Sequence, residues 1–568
     1  MRLWIYTTSF WRTTTHPQRS FLSYPLLIGV PFRDTLAPAR NLYGITRCSK
    51  EADLRRDFAG VLLFEIKARG LEERHNNCEE QRFMSNLYVA CDLGTGVGRV
   101  LLGSLHKGQL MVSEAHRFEN APITEKDSLQ WNIGQIYQEI VEGLRGIGRQ
   151  EEPVDSISCS SWAADYLLFE SNGSLMPPAY HYQDGRTESA IKHVLSKVPW
   201  ETIYEETGVQ QNPGNTLFQL ASESRRLKRA AHLLSIADGF NYLFSGVPQM
   251  EMSQACATQL FNPVTKAWSE SLLKAVHCPE KVLPPVVPAG AKLGDLRSDI
   301  AGETRLTDAQ VVTSCSTQLA AALAGLPIAP GEHWGFLWPG EWTRIGTELD
   351  APFINDASRE MKFTNQLGYR DTVCLYKRAM GFWIFDECKR FWSEADRALD
   401  SDVLMHLAVS APPFEALIDP SDARFMTPGD MPMKIQAFCK ETNQQVPRKP
   451  GPITRCILES LALFYRKSLL EIEYLTGNKV DRLFVLGETS NTLSNNFIAN
   501  ALQVPVVVAS SNATATGNII VQALTLGHIK SLEEAREIVR QSCKMETIYP
   551  YASAWNAAYD RFVELTPV

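Results

Sequence analysis

Asp92 closes the apolar stretch 87–91, and Leu-Gly-Thr-Gly-Val-Gly carries the chain on to Arg99 and a second apolar stretch, 100–105. This spacing predicts a β-hairpin with a tight, small-residue turn. Gly94, Gly96 and Gly98 allow close backbone approach and turn N–H groups inward, which suits an anion. Asp92, at the strand end, is placed to hold a hydrated metal ion beside a phosphate. No Gly-Lys-Ser/Thr follows, so the segment is not a P-loop. A strand, not a helix, follows the glycines, which also argues against a dinucleotide fingerprint. The alternative for the same residues is a plain structural hairpin.

The elements that position this turn follow from the hydrophobic pattern. Residues 131–148 carry Ile133, Ile136, Tyr137, Ile140, Val141, Leu144 and Ile147 at helical spacing. Segments 154–159 and 166–169 read as strands, with a turn at Ser171-Asn-Gly173. Val311-Val312 opens a second small-residue turn. Residues 455–475 form a long amphipathic helix, 482–487 a strand and turn, 504–509 a strand and 517–526 a helix. The two halves repeat one theme of strand, small-residue turn and helices, which predicts two lobes around a cleft.

Length and composition fit this reading. The 568 residues are 44% hydrophobic and 21% charged, as expected for a globular chain of two or more domains. A net charge of −8 favours neither nucleic acid nor an anionic membrane. Twelve cysteines without a CxxC pair argue against a zinc ribbon and a disulfide framework. No apolar stretch approaches the length of a membrane span. The first 50 residues hold seven Arg or Lys against one acid, Asp34. That composition resembles a mitochondrial transit peptide. A mispredicted start upstream of Met84, or a poorly ordered extension over 1–83, are the other readings. A cytoplasmic location is expected, or a mitochondrial one if residues 1–50 are a true transit peptide.

A series of short segments, in order from about residue 87 to 542, resembles the FGGY family of carbohydrate kinases and within it the rhamnulokinases. They include Asp92-Leu-Gly-Thr95, Gly98-Arg99, His116-Arg-Phe118, Ser161-Trp-Ala-Ala-Asp165-Tyr166 and Tyr182-Gln-Asp184-Gly-Arg186-Thr187. Asn215-Thr-Leu-Phe-Gln219, Thr258-Gln-Leu260, Met380-Gly-Phe-Trp383, Asp422-Ala-Arg424-Phe425 and Ala513-Thr-Ala-Thr-Gly517-Asn518 continue it. The resemblance implies an α/β fold of two actin-like (RNase H-like) lobes, 84–325 on the sugar side and 326–568 on the nucleotide side. It implies ATP and Mg²⁺ as cofactors and a small sugar, a ketose such as L-rhamnulose, as partner. An aspartate of the first lobe then takes the proton of the sugar hydroxyl as it attacks the γ-phosphate. By the same resemblance Asp92, Gly94, Thr95, Gly98, Arg99, Gly340, Glu341, Asp386 and Gly487 face the nucleotide. Trp162, Ala163, Asp184, Arg186, Cys315, Thr317 and Arg378 face the sugar, and Asp92 holds the metal through water.

The departures from that pattern concern the chemistry. The family's Ser-His-Asp-Thr reads Ser314-Cys315-Ser316-Thr317 here, which puts Ser316 at the place of the aspartate base. Loss of a general base costs roughly 10²–10⁴-fold in rate. The second phosphate loop reads Trp338-Pro-Gly340-Glu341-Trp342-Thr343, with a carboxylate where the family has a threonine. Three consecutive glycines are replaced by Gly487-Glu488-Thr489, Arg378 stands for an Asn and Asp386 for a Gln. In the first loop Gly96-Val97 replaces two serines, and Ala163 replaces a glycine. Asp165 is the candidate substitute base, or else a sugar-binding or structural acid. Trp162, Trp342 and Trp383 either stack on a sugar or pack in the core. Two functions therefore remain open: a sugar kinase with weak or lost activity, and a non-catalytic pseudokinase acting as a sugar-binding or regulatory protein.

Overall fold

The computed structural model describes residues 85–566 apart from 341, 396–398, 488–491 and 553. The extension expected over 1–83 and the positions Glu341, Glu488 and Thr489 therefore lie outside the described residues. Among the described residues, no helix is long and apolar enough to cross a membrane.

The chain forms an α/β fold built on two mixed sheets. In the first, Asn86–Leu93, Val97–His106 and Gln109–Glu119 form an antiparallel meander. Ser156–Ser161 and then Gln310–Thr313 join parallel on the other side of Asn86–Leu93, and Ala291–Asp295 closes the edge. The second sheet repeats the order. Trp334–Trp338, Trp342–Leu349 and Val373–Met380 are the meander, and Arg482–Val485 and Val506–Val508 follow parallel. Phe363–Leu367 and Glu546–Ile548 extend its two edges. This doubled arrangement is the one expected of actin-like lobes.

The sheets form where the sequence offers unbroken apolar runs, because both faces are covered. Asn86–Leu93 is buried along its length after the first residue. Helix Ile133–Gly148 buries Ile133, Ile136, Ile140, Leu144 and Ile147, and Asn132 caps it by accepting from Gln135 N–H. The strand expected at 154–159 lies at Ser156–Ser161 instead, and all six of its residues are buried although four are serines. Each hydroxyl is satisfied. Ser156 Oγ donates to Gln522 Oε1 at 2.6 Å and Ser160 Oγ to the Cys315 carbonyl at 2.9 Å. Ser158 Oγ accepts from Ser314 N–H, and Ser161 Oγ donates to the Trp162 carbonyl. Polar partners on the covering helix let a polar strand end lie in the interior.

Two helices tie the sheets together. Gln318–Ala324 lays Leu319, Ala322 and Leu323 on the second sheet, against Phe336 and Phe484. Ala513–Leu526 lays Ala515, Ile519, Ile520 and Ala523 on the first, against Tyr88, Ala90 and Leu101. Each helix thus covers the sheet built by the other half of the sequence. They cross with their backbones in contact. A Cβ at Gly517 would stand 1.7 Å from the Ala321 carbonyl oxygen, and one at Gly325 2.6 Å from the Gly517 nitrogen.

Gly517→Ala should therefore destabilise the fold by about 3 kcal/mol, the scale of forced overpacking. Gly302→Ala, in a helix where a Cβ meets nothing within 4 Å, is the matched control and should not. Urea midpoints of the two variants check this, and equal midpoints would contradict the close crossing.

Candidate active-site cleft

The strand ends of the first sheet bring three turns to one rim. Asp92 and Leu93 lie in register with Ser160 and Ser161. Ser161 bridges to Thr317, and its N–H donates to the Ser316 carbonyl at 2.8 Å. Trp162 N–H donates to the Leu93 carbonyl at 3.3 Å. Asp92, Trp162, Ala163 and the segment 315–317 are therefore neighbours, as the resemblance required.

In the hairpin turn Gly94 N–H donates to Val97 O, and Asn120 holds the turn through Gly94 O and Gly96 O. Thr95 and Gly96 are exposed at its tip, which suits an approaching phosphate. Gly98 has a packing reason to be glycine: a Cβ there would lie 2.1 Å from the Phe118 ring. Both oxygens of Asp92 are engaged. Arg99 Nη2 donates to Oδ2 at 2.6 Å and Gln318 Nε2 to Oδ1 at 2.6 Å. Arg99 also reaches Asn512 Oδ1 and the Ser511 carbonyl. A carboxylate already holding a guanidinium and an amide does not fit a hydrated Mg²⁺ ion in this arrangement. Among the described residues no group of three His, Cys, Asp or Glu could hold a metal ion.

Ser316 is fully buried and belongs to an acidic cluster. Its Oγ donates to Asp238 Oδ1 at 2.7 Å, and its N–H donates to Glu251 Oε2 at 3.0 Å. Ser235 Oγ donates to Asp238 Oδ2, and Ser253 donates to Glu251 through its N–H and its hydroxyl. Glu251 Oε1 has no hydrogen-bond partner. Burial raises the Asp238 carboxyl to about 6 and the Glu251 carboxyl to about 8, with the neighbouring Asp238 charge adding to the latter. Thr317 caps the helix after it by accepting from Ala320 N–H, and takes a bond from Gln366 Nε2 of the second sheet. Cys315 turns away from the cluster into an apolar patch with Ala321 and Val521.

Asp165 sits under an aromatic shelf. Trp131 Nε1 and Trp162 Nε1 donate to its Oδ2 at 2.6 and 2.9 Å, and Gln219 Nε2 donates to Oδ1 at 2.9 Å. The carboxyl is buried, which raises it to about 6 against the pull of these donors. Trp131 lies between Trp162 and His181 at centroid distances of 4.3 and 4.5 Å, its ring tilted against both. Gln219 passes the network on through Oε1 to Arg186 Nη2, and Arg186 lies 3.9 Å over the Tyr180 ring. Asp184 accepts from Ser128 Oγ and Leu129 N–H and pairs with Arg186 at 3.6 Å.

The second-sheet residues gather around Trp338. Gly340 O accepts from Phe382 N–H, and Gly487 has a left-handed φ of 88°, where an added Cβ would stand 3.9 Å from Trp338 Nε1. Arg378 lies 4.9 Å over the Trp342 ring. Trp383 donates from Nε1 to the Phe425 carbonyl. Asp386, on helix Trp383–Ala395, is half-exposed and pairs with Lys389 at 3.2 Å.

Residues 87–325 match the N-terminal domain of the FGGY family of carbohydrate kinases, and 337–526 match its C-terminal domain. The chain belongs to the FGGY family of carbohydrate kinases. It is 34% identical to rhamnulokinase of Bacteroides thetaiotaomicron over 485 residues, 84% of this chain and 99% of that one. It is 33% identical to rhamnulokinase of Enterococcus faecalis, over 86% of this chain and 99% of that one. In fold it is similar to xylulose kinase from Lactobacillus acidophilus, with a TM-score of 0.70, 14% identity and coverage of 84% and 97%. Glycerol kinase of Plasmodium falciparum with ADP follows at 0.68 and 13%, covering 85% and 99%.

Within this FGGY chain, the residues that sequence reasoning missed are Asp238, Glu251, Gln219 and Gln318. Asp238 had a signal: Ser235-Ile-Ala-Asp238 is a helix-start pattern, and Ser235 caps Asp238 N–H. Gln219 ends the matched segment Asn215-Thr-Leu-Phe-Gln219, which marked its neighbourhood and not its role, and Gln318 had no signal, because a lone glutamine in a helix carries no periodicity.

The buried acids set a pH dependence. A carboxyl raised on folding stabilises the fold fully below its unfolded value, 4.5 for Glu251, and loses that as pH rises through about 8. The urea midpoint should therefore fall between about pH 5 and pH 9, and Glu251→Gln should flatten the upper part of that fall. A parallel decline in wild type and variant would assign the titration elsewhere.

Proposed function

We propose that this chain transfers the γ-phosphate of ATP to a ketose such as L-rhamnulose, at a turnover far below that of a family member with an aspartate at the Ser316 position. The observation that carries this reading is the Ser316–Asp238 hydrogen bond, Oγ to Oδ1 at 2.7 Å. The residue matched to the general base is a buried hydroxyl already donating to an acid. The rhamnulokinase relatives supply the substrate class. In this reading 84–325 is the sugar lobe and 326–568 the nucleotide lobe. The exposed tip Thr95–Gly96 with Gly94, Gly98 and Arg99 takes the phosphates, and Gly340, Glu341, Asp386 and Gly487 face the nucleotide from the second half. Trp162, Ala163, Asp184, Arg186, Thr317 and Arg378 shape the sugar side, and Cys315, expected there, packs in the core behind it instead. Asp165 holds the Trp131–Trp162 shelf in place, because three side-chain N–H donors already occupy its carboxyl.

Without a carboxylate at the reacting hydroxyl, the proton must leave to solvent as the sugar oxygen attacks. That costs roughly 10²–10⁴-fold, or about 3–5 kcal/mol of barrier. A second reading, a non-catalytic sugar-binding or regulatory protein, is favoured by the three donors already on Asp165, the candidate substitute base.

ADP release with ATP and L-rhamnulose should run about 10²–10⁴-fold below the Bacteroides thetaiotaomicron rhamnulokinase measured alongside. Ser316→Asp should raise it, more so above neutral pH, because Asp238 and Glu251 raise the new carboxyl by repulsion. Adding Glu341→Thr should raise it further, and the two effects need not add. Sugar binding without any turnover, in the wild type and in the restored variants alike, selects the second reading. Full turnover abolished by Asp165→Asn but not by Ser316→Ala would overturn both.

A further inference from the structure

The nucleotide turn carries one acid, Asp92, and its two oxygens are held from opposite sides. On one side Arg99 brings a full positive charge to Oδ2 at 2.6 Å, and it is held there by further bonds to Asn512 Oδ1 and Ser511 O. On the other, Gln318 brings an amide N–H to Oδ1 at 2.6 Å. Asp92 and Arg99 are nearly buried, with side chains 5% and 12% exposed. Gln318 opens the helix Gln318–Ala324, whose backbone is locked against Gly517 at the crossing. Its amide lies against the turn itself: a Cβ at Gly94 would stand 3.6 Å from Gln318 Nε2. The amide is therefore delivered by a rigid element, two residues after Ser316.

The charges decide what can join them. The Asp92 carboxylate is neutralised by the Arg99 guanidinium, and the N–H of Gln318 presents a second positive dipole end. A divalent cation brought to Asp92, directly or through water, would share each oxygen with one of these donors and sit against the guanidinium charge.

We infer that Gln318, together with Arg99, closes Asp92 to divalent cations, so that this chain takes nucleotide phosphate on the turn without needing Mg²⁺. The inference rests on the nucleotide side of the reading above and goes beyond it in naming Gln318 as the residue that sets metal dependence. Gln318 acts through Asp92 and is a positioning residue.

Calorimetric titration with ADP tests it on the full chain, once with Mg²⁺ and once with EDTA. Wild-type affinity should agree within about twofold between the two conditions, well under the tenfold that 1.4 kcal/mol represents. Gln318→Ala should gain a metal dependence, binding ADP about tenfold more tightly with Mg²⁺ than with EDTA. The gain should vanish in Gln318→Ala combined with Asp92→Asn. Gln318→Met, close in size and without a donor, serves if the alanine form fails to fold. A wild type that binds ADP only with Mg²⁺, or a Gln318 variant with no metal dependence, overturns the inference while leaving nucleotide binding intact. If ADP binds in neither condition, the nucleotide reading fails instead. Mn²⁺ alone then decides the metal question by electron paramagnetic resonance: loss of the free-ion signal on adding wild type, restored by Asp92→Asn, overturns the closure, and an unchanged signal supports it.

Discussion

The structure depends on the contact between the Ala321 carbonyl and Gly517, where two helices cross without room for a side chain. Each helix is packed on the sheet of the opposite half, so this one contact sets how the two halves of the sequence share a core. It also sets the chemistry-bearing turns. Asn518 and Gln522, on the same helix as Gly517, donate to Ser160 Oγ and the Val89 carbonyl. Ser314 Oγ donates to the Asn518 carbonyl and Ser160 Oγ to that of Cys315. The segment carrying Ser316 is thus moored to the crossing helix by buried hydrogen bonds. Such bonds are costly to leave unmade, so the turn has little freedom to rearrange.

Much of this was legible from periodicity. The hairpin 86–106, the helix Ile133–Gly148 and the long helix Pro450–Thr476 follow from apolar residues at fixed spacing, and tertiary packing agreed with local preference. Ser156–Ser161 was displaced by two residues because its serines read as a strand end, while Gln522 and Asn518, far away in sequence, make them a buried interior. Polar burial is decided by partners that a local window does not contain. The helix Ala513–Leu526 starts before the expected position because its first turn reads as small and polar, yet it is buried against the first sheet.

The candidate site was legible in its parts and not in its bonds. The order of motifs placed Asp92, Trp162 and Ser316 on neighbouring strand ends, and the pairing agrees. Nothing in the sequence said that the Asp92 carboxylate would be divided between Arg99 and Gln318, or that Asp165 would carry two indoles and an amide. Residue type tells which groups could react, whereas hydrogen-bond partners tell which lone pairs are left to do so.

The serine at position 316 has a physical logic of its own. Asp238 and Glu251 lie within one hydrogen bond of it, both without exposure to water, and burial alone disfavours two negative charges there. A carboxylate at 316 would be a third acid in the same pocket, able to keep its charge only by forcing protons onto the other two. A hydroxyl instead gives Asp238 a donor and brings no charge. A serine there favours the fold, because these surroundings accept a neutral donor more readily than a further charge. The Gln318 amide on Asp92 follows the same pattern, because it gives a nearly buried carboxylate a neutral donor. Both features satisfy a buried acid from within the chain, so that neither carboxylate depends on a donor from outside.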